Sequence, residues 1–311
     1  MRIVVGVDGS DASRTALELV ANTAWPVGTQ VRLVGAYELA TNWTGVTPLP
    51  IETAADEEAE QAFFNGLQAL SEPLRRSGRA TETVVARGRP ADVLLNEADD
   101  LQADLIVVGS RGLGAAASAL VGSVSAALVD HASCPVLVAR GPAVTRILVA
   151  TDGSRSSEAI PAVLQAWRVF RDAPIDVLSV APAVADRVGG APVSGLPVVG
   201  QRLSGAAHEV NRHRVMADEM AARLVAGGWH ATGALRYGDA PRQIEGAAAE
   251  WDTDLIVTGS RGLSGLRRVL IGSVAHHVLL HSRCSVLVMR GHVPARELHE
   301  GWLSSAPAAL G

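Results

Sequence analysis

Three glycines and a serine recur at one spacing in two places. Asp104–Ser123 (DLIVVGSRGLGAAASALVGS) and Asp254–Ser273 (DLIVTGSRGLSGLRRVLIGS) each read Gly, two residues, Gly, nine residues, Gly-Ser. The positions are Gly109, Gly112, Gly122 and Ser123, then Gly259, Gly262, Gly272 and Ser273. Successive backbone N–H groups in such a turn form an anion nest. Glycine also lets a ligand approach the main chain. Gly122-Ser123 and Gly272-Ser273 stand where a helix opens, and the first N–H groups of a helix, with its positive dipole end, suit phosphate. The serine hydroxyls add donors. In each half an acid also ends an apolar run and is followed by glycine: Asp8-Gly9 in Val5–Ser10 (VGVDGS) and Asp152-Gly153 in Ala150–Ser154 (ATDGS). Such a carboxylate can accept bonds from a ribose hydroxyl. The set suits a nucleotide with its ribose near the acid and its phosphates along the loop. The alternative is that the glycines only permit tight turns and helix packing.

The elements that must position these residues are readable. Between 104–113 and 254–263 nine of ten residues are identical, Val108 becoming Thr258, so the chain reads as two copies of one domain. At 311 residues it fits two domains of about 150 each. Short Val- and Ile-rich runs read as buried parallel strands at Arg2–Asp8, Val31–Tyr37, Ala80–Ala86, Asp104–Val108 and Pro135–Ala139. Helices are expected over Ala12–Ala21, Glu52–Ser77 (its last turn disturbed by Pro73), Ala91–Asp99 and Gly122–His131. In the second half, strands are expected at Arg146–Asp152, Ile175–Val180, His230–Arg236, Asp254–Thr258 and Ser285–Met289. A long helix is expected over Leu203–Ala226, with another opened by Asp239-Ala240-Pro241. Thr41–Pro50 and Pro182–Gly200 read as loops, and Gly141–Thr145 as a linker. The fold class is therefore α/β: two tandem, doubly wound, five-stranded parallel-sheet domains over 1–140 and 146–291, with a tail at 292–311. In such sheets ligands sit beyond the carboxyl ends of the strands, where the strand order reverses. The fifth strands, PVLVAR and SVLVMR, are apolar edges that seek a partner, and pairing across a pseudo-twofold interface is expected.

Bulk numbers exclude several classes. Apolar content of 48% and charged content of 19% describe a globular chain. A net charge of −5 gives no basic footprint for nucleic acid. There is no lysine, so neither a P-loop lysine nor a Schiff base is available. Gly112–Val129 is uncharged but made largely of Gly, Ala and Ser, and its counterpart carries Arg267 and Arg268, so no membrane span is expected. Two thiols, Cys134 and Cys284, and an opening MRIVVGVDGS that reads as a strand point to a reducing cytoplasm.

On these motifs the chain resembles the universal stress protein family in its tandem two-domain form, and the Gly-x2-Gly-x9-Gly-Ser loops resemble that family's ATP-binding branch. The resemblance implies ATP, with or without Mg2+, as the ligand. It implies ribose at Asp8 and Gly109, phosphate at Gly112, Gly122 and Ser123, and main chain at Ala36 near adenine. The second set would be Asp152, Gly259, Gly262, Gly272, Ser273 and Val180. Gly9 and Gly153 accompany the acids, and Val124 and Val274 the serines. Two residues after the loop serine the family commonly has a hydroxyl that reaches the terminal phosphate. The first half keeps it as Ser125, whereas the second has Ala275. Arg111 and Arg261 lie inside the loops, over the phosphates or in solvent. The resemblance further implies a nucleotide-dependent regulator or sensor of stress or growth arrest, acting through a protein partner and associating as a homodimer.

No Ser/His/Asp or paired-carboxylate arrangement stands out, so any ATP hydrolysis is expected to be slow. An ATP-hydrolysing or adenylyl-transferring enzyme of this topology, and a ligand-free scaffold, are the alternatives. His276, His277 and His281 fall at helical spacings and read as a helix-surface cluster, because a metal would need a third convergent ligand. His131 and Cys134 are a nucleophile pair by type only, and a packed thiol is expected.

Overall fold

The computed structural model describes residues 1–37, 54–112, 121–183, 196–260 and 271–290. The first half forms β1 (Arg2–Gly6), α1 (Asp11–Asn22), β2 (Gln30–Tyr37), α2 (Ala54–Leu70), α3 (Glu72–Arg76), β3 (Ala80–Arg87), α4 (Pro90–Leu101), β4 (Leu105–Gly109), α5 (Ser123–His131) and β5 (Val136–Ala139). The second forms β6 (Ile147–Ala150), α6 (Arg155–Glu158), α7 (Ile160–Trp167), β7 (Ile175–Ala181), α8 (Leu196–Ala226), β8 (Ala231–Tyr237), α9 (Ala240–Glu250), β9 (Leu255–Gly259), α10 (Ser273–His281) and β10 (Ser285–Met289). All these strands join one sheet in the order β3-β2-β1-β4-β5-β10-β9-β6-β7-β8. Every pairing is parallel except β5 with β10, where Val136, Leu137 and Val138 meet Val288, Leu287 and Val286 antiparallel. The expected pairing of the fifth strands is therefore present, within one chain. It consumes both apolar edges, so a second copy of the chain would have to dock elsewhere.

Strand side chains alternate between the two faces. On one face Ile3, Val5, Leu33, Leu105 and Val107 share a core with Ile147, Val149, Leu255 and Leu287, covered by α1, α2, α3, α7 and α8. On the other, Val4, Val34, Ile106 and Val136 share a core with Leu148, Ile256 and Val286, covered by α4, α5, α9 and α10. Each core runs through both halves. The seam is also tied by matching arginines. Arg140 donates to the carbonyl of Leu279 near the end of α10 at 2.6 Å and to that of Cys284 at 3.1 Å. Arg290 donates to the carbonyl of Val129 near the end of α5. A cation suits a helix C-terminus. Burial lowers the Arg140 pKa, the cost of placing a guanidinium there.

Most expected elements shift by only a residue or two, and two change more. The helix expected over Glu52–Ser77 is divided at Ser71 into α2 and α3. Pro73 lacks the N–H that would continue the ladder, and its ring crowds the carbonyl four residues back. The helix expected from Leu203 begins at Leu196 and takes in the end of the expected loop Pro182–Gly200. Pro197 falls in its first turn, where a missing N–H breaks no intrahelical bond. The expected loop Thr41–Pro50 and the tail 292–311 lie outside the described residues, as do Arg261 and Gly262.

Candidate functional site

The strand order reverses between β1 and β4. From their carboxyl ends the chain leaves toward opposite faces, into α1 and α5, and a crevice opens between the departing segments. It holds a cavity of about 340 Å³.

Asp8 stands at the end of β1. Its Oδ1 accepts the N–H of Ser10 at 3.0 Å, which fixes the carboxylate at the crevice. The turn needs Gly9, at φ +83°, a conformation other residues rarely hold. Ser10 then caps α1 by accepting the N–H of Ser13 at 3.2 Å. Across the crevice the loop returns so closely that a β-carbon on Gly112 would lie 2.6 Å from Asp8 Oδ2. A side chain at this position would have to push the carboxylate aside.

The third side is the start of α5. Gly122 is its cap, with no side-chain cap hydrogen bond, and Gly122 N–H donates to the carbonyl of Ser110 at 2.7 Å. The first-turn amides of Ser123 and Val124 therefore carry the positive dipole end toward the cavity that both residues line. Among the described residues a β-carbon on Gly122 would meet nothing closer than 3.5 Å, an ordinary contact, so the packing described does not itself require glycine here. Apart from Ser13, the remaining wall is apolar, with Val34 and Ala36 from β2, Pro90 and Leu94 from α4, and Val108 from β4. Arg111 is exposed at the rim.

Ten of the expected positions, namely Asp8, Ala36, Gly109, Arg111, Gly112, Gly122, Ser123, Val124 and Ser125 in the first half, with Gly9 in the turn beside them, thus gather at one crevice. Two readings change in detail. Gly109 lines the cavity, but its missing side chain is explained by packing, since a β-carbon would lie 2.5 Å from the Ala12 main chain in α1. Ser125 is buried and donates its hydroxyl to the carbonyl of Gly109 at 2.8 Å, so that proton is committed to protein. Sequence reasoning missed the wall of Val34, Pro90 and Leu94. Pro90 and Leu94 lie four apart on one helix, a spacing that could have signalled a shared face.

The second half repeats the crevice at about 260 Å³, lined by Asp152, Val180, Gly259, Gly272, Ser273 and Val274 with Ala150, Leu178, Ala240, Ile244, Thr258 and Ala275. Gly153, at φ +73°, makes the same turn as Gly9. Asp152 Oδ1 accepts two donors, the N–H of Ser154 at 2.9 Å and the hydroxyl of Ser157 at 3.1 Å. Gly272 N–H again donates to a carbonyl, that of Ser260, at 2.7 Å. Gly259, like Gly109, is required by packing: a β-carbon would lie 2.4 Å from Ser156 Oγ. Behind this site sits a buried polar pair the sequence did not single out, Ser179 Oγ and His213 Nδ1 at 2.8 Å. The thiols are packed, and burial pushes Cys134 up to about 12. Among the described residues no helix is long and apolar enough to cross a membrane.

The model of the universal stress protein family matches residues 1–140 and again 143–290. Universal stress protein Rv2005c of Mycobacterium tuberculosis is 30% identical over 93% of this chain and 96% of its own length. Universal stress protein YxiE of Bacillus subtilis is 34% identical over 45% of this chain and 98% of its own. A universal stress protein structure from Archaeoglobus fulgidus superposes with a TM-score of 0.63 at 18% identity, covering 94% of this chain and 98% of that one, and supports the fold. The chain belongs to the universal stress protein family and carries its domain twice.

Proposed function

We propose that this universal stress protein binds ATP in the crevice of its first half and acts as a nucleotide-dependent regulator or sensor in stress or growth arrest. The observation that carries this reading is the convergence of three unlike surfaces on one cavity. An uncapped helix start offers N–H donors for phosphate, Asp8 offers acceptors for ribose hydroxyls, and Val34, Ala36, Pro90 and Leu94 offer an apolar slot for a base. At about 340 Å³ the cavity falls within the roughly 300–1,000 Å³ range of small-molecule sites. Arg111 at the rim is placed to screen phosphate charge. Mg2+ would be held chiefly by the nucleotide's own phosphates, because Asp8 is the one carboxylate lining the described cavity.

Binding is favoured over turnover. The titratable side chains among the described lining residues are Asp8 and Arg111. In this reading Asp8 is taken up by the ribose hydroxyls, and no histidine or second carboxylate among the described lining residues is left to act as a base for an attacking water. The second crevice, at about 260 Å³, is a weaker site.

Mass spectrometry of the small molecules released on denaturing freshly purified protein tests the ligand. An adenine nucleotide is expected, with negligible phosphate release under excess Mg-ATP. No released nucleotide, together with no saturable binding of added ATP, would remove this reading. Rapid phosphate release would move it to the enzyme alternative.

A further inference from the structure

Away from both crevices, three metal-ligating side chains converge on the outer side of the α9–α10 pair. Glu245 comes from α9, and His277 and His281 from α10. Each offers one ligand atom, and these atoms all lie within 4.8 Å of one another. His277 and His281 are four residues apart, one turn of the helix, and their rings stack with centroids 4.1 Å apart and planes 26° apart. His277 Nε2 lies 3.3 Å from Glu245 Oε1. That oxygen is shielded from solvent yet accepts no hydrogen bond. His281 Nδ1 sits 2.9 Å from the carbonyl of His277. A proton on Nδ1 satisfies that carbonyl and leaves Nε2 with its lone pair outward, the arrangement that orients metal-bound histidines.

We propose that Glu245, His277 and His281 form a binding site for a Zn2+-class divalent metal ion. Two imidazoles and one carboxylate are a donor set suited to such an ion. Beside the cluster lies a cleft of about 480 Å³ lined by Arg242, Asp252 and Arg283, which leaves room for water in the remaining coordination positions. The ion bridges α9 to α10 and requires the carboxylate that the sequence alone could not pair with the histidines. The site belongs to the second half alone. At the matching first-half positions stand Leu95, Ala127 and His131, which supply one ligand. The site is independent of the nucleotide reading, and it is measured without nucleotide.

The full chain, stripped with chelator, is titrated with Co2+ and followed by visible absorption, then challenged with Zn2+. One Co2+ per chain is expected, with the intense d–d bands of a low-coordinate ion and displacement by Zn2+. Glu245→Gln and His281→Ala should each weaken binding by more than the about 10–100-fold that loss of an outer-shell partner costs. His131→Ala should leave it unchanged. A weak six-coordinate spectrum, no saturable binding, or full binding retained in both Glu245→Gln and His281→Ala would overturn the site and leave a plain His277–Glu245 ion pair. His281 is exposed and Glu245 half-buried, and circular dichroism of each variant checks that the fold is kept.

Discussion

The two crevices are lined at matching positions, and the differences run both ways: Pro90 and Ser125 give way to the smaller Ala240 and Ala275, while three positions on the strands gain bulk in the second half. Gly6 becomes Ala150, Val34 becomes Leu178, and Ala36 becomes Val180. Gly6 is forced in the first half, since a β-carbon would lie 2.9 Å from both Leu94 Cδ1 and Val108 Cγ1. The support behind the crevice also differs. In the first half Gly35 lets Leu67 and Phe63 press onto β2, where a β-carbon would be 2.3 Å from Leu67 Cδ1. In the second, Ser179 and His213 fill that region with a hydrogen bond. Among the described residues the turn after the first strand and the glycine that opens the crevice helix recur in both halves, while the side-chain wall has diverged. Those backbone features are common to both, so affinity and selectivity should follow the wall.

The largest effects should separate glycines needed by the fold from glycines needed by a ligand. Gly109→Val and Gly259→Val force a side chain into the first turn of α1 or into α6, and each should destabilise the protein by about 3 kcal/mol, the upper range for overpacking. Denaturant unfolding measures it; a loss under about 1 kcal/mol would contradict the packing account. The seam between the halves comes next. Arg140→Ala leaves the carbonyls of Leu279 and Cys284 without their charged donor, and about 2 kcal/mol should be lost. Arg290→Ala, which strips Val129, should cost a similar amount if the pseudo-twofold is energetically even.

A smaller effect tests a hydroxyl that has changed places. Ser125 bonds the carbonyl of Gly109 at 2.8 Å, whereas the second half has Ala275, and Thr258 approaches the Gly259 carbonyl at 3.3 Å instead. Ser125→Ala should cost about 1 kcal/mol, and adding Val108→Thr should return part of it. No recovery in the double variant would show that the two exchanges are unrelated. The gentlest contrast is chemical. Thiol alkylation needs the thiolate. Burial holds Cys134 near 12 and also raises Cys284, which is less buried and sits 3.2 Å from Ser282 Oγ. At pH 8 Cys284 should label slowly and Cys134 more slowly still, with both rates rising with pH. Equal fast labelling in native protein would deny the packing of the first thiol.

Much of this architecture was legible because apolar runs and their spacing carry strong signals. The fifth strands announced their pairing through an apolar edge. The long second-half helix was cut short because Pro197 and Gly200 read as breakers, although proline in a first turn is tolerated. At the site, Asp8, Gly122 and Ser123 were readable from their types and spacing. Val34, Pro90 and Leu94 were not, because a residue that walls a slot has the same composition as one that fills a core. The reason for Gly109 was hidden for a related cause. Its neighbour is Ala12 on a helix that only the fold brings near. Glu245 belongs to the same class, lying beside His277 and His281 only once α9 packs on α10.

The account rests on unequal adenine-nucleotide binding by two crevices that share a turn and a helix start. Gly122→Glu and Gly272→Glu place an acid at each helix start, and among the described residues a β-carbon on Gly122 makes only ordinary contacts, from 3.5 Å, at an ordinary φ of −79°. Calorimetric titration of ATP into the parent and both variants should show the tighter phase abolished by Gly122→Glu and left intact by Gly272→Glu. Tight binding that survives Gly122→Glu unchanged, in a variant that remains folded, would contradict it.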